Sequence, residues 1–179
     1  MRRLTTYVIV VALAVWLQTD ATGVPGARPA PPLAQQTTPS EPLVIVVNRS
    51  NPVDKLSFPE LRSIFLGSRS HWADGRRITL VMRDPGELER KTVLRDIYDM
   101  NESQFKTHFL HGLFTGEILV SPQILSTPVG VRKFIFNVPG AIGYLRLSNV
   151  DASVKMLRID ESMPVDKGYK LRVQDEADE

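Results

Sequence analysis

Arg83, Asp84, Pro85 and Gly86 follow a short apolar run and precede a stretch with helical spacing that opens at Glu87. That order places a cation and a tight turn beside a helix amino terminus, whose free amides and dipole attract negative charge. Arg83, Gly86 and Glu87 are therefore candidate residues of an anion site. Ser50 and Asn51 form a second candidate pair, because they come directly after a strand and before Pro52, where α/β folds place ligand contacts. His108 and His111 lie three apart on one helical stretch, yet no third ligand accompanies them at metal-binding spacing. They read as a solvated or helix-capping pair, so no metal site and no cofactor are expected. His71, beside Trp72, reads as part of a packed turn. The sequence contains no G-x-S-x-G elbow, no phosphate-binding P-loop, no H-E-x-x-H and no cysteine. Nucleophilic, phosphoryl-transfer, zinc-hydrolase and thiol chemistry thus lack their groups, and a non-enzyme is expected.

The elements that must position these residues follow from pattern. Leu43 to Val47 is a continuous, mostly β-branched run of the kind buried on both faces of a sheet. Ser57 and Glu60 form a capping box with Pro59 in the first turn, and Phe58, Leu61, Ile64 and Phe65 share one face of the helix that Gly67 stops. A turn through Trp72 to Gly75 leads to a strand over Ile78 to Met82. Helical spacing then brings Val93, Leu94, Ile97 and Tyr98 inward. A further helix from about Ser103 aligns Phe105, Phe109 and Leu113 as core before Gly116. After a loop through Pro122, Thr127 and Pro128 open a helix that buries Val131, Phe134, Ile135 and Val138. Ala141 to Leu145 and Val154 to Ile159 read as two last strands, giving a layered α/β domain.

Arg2 and Arg3 precede an apolar run from Tyr7 to Leu17 that is too short to span a bilayer, and Ala21 and Gly23 are small residues two apart. Residues 1–23 are read as a signal peptide cleaved after Gly23, which places the domain in the periplasm or outside the cell. Residues 24–42 carry Pro25, Pro29, Pro31, Pro32 and Pro39 and form a linker. The domain is expected over 43–171, and 172–179 as an acidic tail. The formal net charge is only +2, from 22 basic against 20 acidic side chains, so no basic surface for nucleic acid is expected.

Four segments in order, VIVVNRSNPV, LSFPELRSIFLG, HWADGRRITLVMRD and FNVPGAIGYL, resemble landmarks of the phosphate ABC transporter substrate-binding family. The resemblance covers about Leu43 to Ile159. It implies one lobe of a type II periplasmic binding fold, with a mixed sheet flanked by helices. A small oxyanion such as phosphate is the implied ligand, and an ABC transporter permease the implied partner. The family's first-lobe segment does not precede this region, so self-association or a partner chain is expected to cover the face left open. The family's R-x-D-G-S-G-T contact stands here as Arg83, Asp84, Pro85, Gly86, Glu87, Leu88 and Glu89. Ionised carboxylates at 87 and 89 accept hydrogen bonds and donate none. Both are expected to repel phosphate and weaken or alter anion binding. The alternative is a protein interaction module that keeps the fold without the ligand.

Overall fold

The computed structural model describes residues 40–174. The segments expected as signal peptide and as linker up to residue 39, and the tail from residue 175, lie outside the described residues. β1 (Ser40–Asn48) forms the spine of the body. Leu43 to Val47 have no exposure, as a strand covered on both faces demands. β5 (Ala141–Arg146) pairs with it antiparallel along Leu43–Val47, and β6 (Val154–Met156) pairs antiparallel with its carboxyl end. β3 (Thr79–Arg83) runs parallel to β5, and β4 (Gln123–Leu125) runs parallel to β3 at the sheet edge. The order β4-β3-β5-β1-β6 is thus a mixed sheet.

Alternation along the strands sorts the core into two layers. Leu43, Ile45, Val47, Leu80, Met82, Ile142 and Tyr144 face α1 (Phe58–Phe65), α2 (Leu88–Val93) and α3 (Glu102–Thr115). Val44, Val46, Val81, Ala141 and Leu145 face α4 (Pro128–Asn137). The capping box of α1 is present: Glu60 Oε2 accepts from the Ser57 amide at 2.9 Å, and Ser57 Oγ accepts from the Glu60 amide at 3.4 Å. The Ser57 amide and the Ser57 hydroxyl, which donates to Glu60 Oε2 at 2.8 Å, hold the Glu60 carboxyl below its ordinary value.

Several elements depart from the sequence expectation for local reasons. β4 arises where a loop is expected, because three residues are enough to extend a parallel ladder on β3 but too few to show an alternating pattern. The expected strand over Val154 to Ile159 is broken at Leu157. Its amide still donates to Ile45, but the Arg158 amide donates to Asp54, and β7 (Arg158–Ile159) leaves the sheet to pair with β2 (Lys55–Leu56). Leu113 is exposed; Gly112 occupies the inward position instead, and Ile118 packs so closely on it that a Cβ there would lie 2.6 Å from the Ile118 side chain. At the two ends, Ser40–Pro42 pairs antiparallel with β8 (Arg172–Gln174), so the ordered body takes in residues expected as linker and tail. A proline is tolerated there because strand ends leave amides unpaired in any case.

α2 continues into a π-helical turn, Leu94–Tyr98, which presents Ile97 and Tyr98 together to the core. Tyr98 meets Phe65, Phe105 and Phe109 edge-on at 5.9, 5.1 and 6.3 Å between ring centres. Burial pushes the Tyr98, Tyr144 and Tyr169 phenols above their ordinary value of 10.0. The folded state therefore holds them neutral, and the stability this contributes is complete below pH 10 and lost as the pH rises beyond it. A steep fall in the urea midpoint above pH 10 is expected, with the three phenolates appearing only as the protein unfolds. Parallel ultraviolet and circular dichroism titrations check this, and phenolates forming in a still-folded protein would contradict it.

Candidate functional site

Arg83 ends β3, and the turn Asp84-Pro85-Gly86 carries the chain to α2, with Gly86 at φ 96°, a conformation glycine adopts without strain. This is the carboxyl end of the parallel strands, where open α/β sheets bind ligands. Arg83 is buried. Its main-chain amide donates to the Tyr144 hydroxyl at 3.0 Å, and its Nη2 donates to Glu87 Oε2 at 2.9 Å. Nη1 reaches the Leu125 carbonyl at 3.4 Å, while the buried Nε has no hydrogen-bond partner. Glu87 stands at the N-cap of α2 without capping it, because its carboxylate is turned back onto Arg83.

Two further arginines share this end of the sheet. Arg90 is buried, donates from Nη1 to the Arg83 carbonyl at 2.8 Å, and grips Glu102 with two bonds of 3.0 and 2.7 Å. Its guanidinium also lies 4.8 Å from the centre of the Phe105 ring. Arg146, from the end of β5, meets Glu89 at 2.7 Å and Glu41 at 3.6 Å. Each guanidinium is thus engaged by a carboxylate of the same chain. Such a cluster spends its positive charge internally, and an incoming anion must displace a carboxylate to reach it. Glu87 is the accessible one: its side chain is 40% exposed, against 9% for Glu89.

The sequence treats Glu87 and Glu89 as equivalent obstacles to phosphate, and the structure separates them. Glu87 covers Arg83, whereas Glu89 turns to Arg146 and holds β5 to α2. Arg90, Glu102, Arg146 and Glu41 escape the sequence reading. The available signal is faint: Arg90 lies three residues before Val93 on a short, mostly polar helical stretch and so shares its inward face.

Ser50 and Asn51 are not brought to Arg83. Val47, Ile142 and Leu80 share one row of the sheet; Arg83 lies three residues along in one direction, and the Ser50 turn lies the other way. At the rise of a strand the two groups are roughly 20 Å apart. Around Ser50 most polar atoms are used by the fold, the buried Asn51 Nδ2 excepted, which has no hydrogen-bond partner. Asn48 Oδ1 accepts from the Ser50 amide and hydroxyl, both at 2.8 Å, and Asn48 Nδ2 donates to the Ile135 and Phe136 carbonyls near the end of α4. Asn51 is buried, and its Oδ1 accepts from the Val53 amide at 3.0 Å. The geometry here is that of a turn and a helix cap.

His108 has its Nε2 2.9 Å from the Leu66 carbonyl at the end of α1, the helix-capping role that its spacing allowed. Among the described residues no group of three His, Cys, Asp or Glu could hold a metal ion.

No family model matches the sequence. Solved structures do match. An ABC-type phosphate transport receptor from Vibrio cholerae superposes with a TM-score of 0.60 at 18% identity, over 75% of this chain and 55% of that one. The fold is that of the phosphate-transport receptors. A putative phosphate ABC transporter substrate-binding protein with bound phosphate from Clostridium perfringens gives a TM-score of 0.62 at 21% identity, covering 75% and 54%. PstS from Borrelia burgdorferi gives 0.59 at 14%, covering 75% and 55%. The chain spans about half the length of these receptors.

Proposed function

We propose that this chain is an exported, non-enzymatic, solute-binding-type protein built on one lobe of the receptor fold, in which affinity for phosphate-like oxyanions is weakened by its own carboxylates. The ion pair between Arg83 and Glu87 carries this reading. It stands at the carboxyl ends of the parallel strands, where open α/β sheets bind their ligands. Here the charge is already matched. The receptor likeness and the signal-peptide pattern of residues 1–23 support a place outside the cytoplasm, and an ABC transporter permease is the partner that role requires.

Glu87→Ser is the informative variant. It frees Nη2 of Arg83, replaces an acceptor by a donor and leaves the Glu89–Arg146 pair intact. The wild type is expected to bind phosphate weakly, and Glu87→Ser to bind it at least tenfold more tightly, the order of one charge-assisted bond gained and one repulsion lost. Adding Arg83→Met should remove the gain. Calorimetric titration with phosphate at one fixed ionic strength tests the three proteins. Tight wild-type binding that survives Arg83→Met would place the ligand elsewhere and overturn the reading.

A further inference from the structure

Away from the arginine cluster, the carboxyl half of α3 turns an apolar face outward. Leu110, Leu113 and Phe114 fall at the i, i+3, i+4 spacing of one helical stripe, and Phe114 is 89% exposed. Beyond Gly116, the Ile118 amide donates to the Gly112 carbonyl at 2.9 Å, and the Ile118 side chain seats on Gly112. Leu119 and Val120, the two residues that follow that anchor in the chain, are both about half exposed. Together the five side chains offer on the order of 600 Å² of apolar surface, at the top of what a monomer ordinarily leaves in contact with water. A stable interface needs roughly 800 Å² from each partner, so this patch supplies most of one apolar centre.

We propose that Leu110, Leu113, Phe114, Leu119 and Val120 dock a second copy of this chain about a two-fold axis. The rim favours that occupant. Lys106 lies one turn before Leu110 and Glu117 lies just before Ile118; both are exposed, and neither has an ion-pair partner among the described residues. A two-fold axis crossing the line between them sets each cation opposite an anion, so the surface is complementary to itself. A lipid surface would call for a rim of cations, and this one is balanced.

The test is sedimentation of the full chain from micromolar to millimolar concentration, with Phe114→Lys and Leu110→Lys alongside. A reversible dimer is expected, weakened at least 100-fold by each lysine. The thermal melts should be unchanged, because both side chains already face water. Glu87→Ser should dimerise as the wild type does, which keeps this result separate from that of the anion site. A wild type that stays monomeric to millimolar concentration overturns the proposal. So does a dimer indifferent to both lysines, and so does a monomer that floats with phosphatidylcholine vesicles until Phe114→Lys releases it.

Discussion

Gly140→Ala is expected to abolish the fold, at a cost of about 4 kcal/mol or more, a size reserved for steric conflicts that side-chain movement cannot relieve. A Cβ at this position would lie 2.0 Å from the Arg77 carbonyl oxygen, and both belong to the main chain. Neither can retreat without loss. The Gly140 carbonyl accepts from the Thr79 amide at 3.1 Å and from the Trp72 indole at 3.0 Å, so it fixes the tryptophan turn and starts the β3–β5 pairing. Gly143→Ala is the natural comparison. Its Cβ would meet Ile135 Cδ1 at 3.1 Å and the Cβ and carbonyl oxygen of Val81 at 3.2 Å, contacts that the Ile135 side chain and β3 can relieve by giving a few tenths of an ångström, where Gly140 faces an overlap of 2.0 Å. A loss of about 1 to 2 kcal/mol is expected there. Urea denaturation of the two variants checks the ranking, and equal midpoints would refute the backbone-contact argument.

Arg90→Ala comes next, with an expected loss of about 3 kcal/mol, near the lower end for removing one member of a buried ion pair. Glu102 is 32% exposed, so water can partly solvate the carboxylate left behind. The variant also removes a donor from the Arg83 carbonyl and the cation resting on Phe105. Arg90→Lys should recover only part of the loss, because an ammonium cannot form the two-pronged bond to Glu102 or stack on the ring. Chemical denaturation of both variants, with Glu102→Gln as a third, separates charge from geometry. Full rescue by lysine would show that charge alone matters.

How far the sequence reveals this molecule depends on the range of the signal. The Ser57–Glu60 box, the five-residue run of β1 and the Thr127-Pro128 start of α4 rest on neighbours within a few positions, and each forms as expected. β2, β4, β7 and β8 are two or three residues long and exist only through pairing with distant strands, which no local pattern records. The site divides in the same way. Arg83, Gly86 and Glu87 fall within five consecutive residues of one turn and are legible. Arg90 with Glu102 and Arg146 with Glu41 are joined across the fold, 12 and 105 positions apart, and charge at such separations carries no register. Ser50 lies at the opposite end of the sheet from Arg83 because its strand runs antiparallel to the strand that carries Tyr144, a reversal visible only once the sheet is assembled.

The pairing of Ser40 with Gln174 determines how the body responds to force. Its chain enters and leaves side by side on one antiparallel ladder, so tension between those two points peels the bonds apart one after another instead of loading them all at once. Ser40, Glu41 and Pro42 should part from Arg172–Gln174 at low load, while the longer β1–β5 ladder behind them keeps its five register pairs. Pulled at Ser40 and Gln174, the body behaves as a zipper with a short, soft first segment.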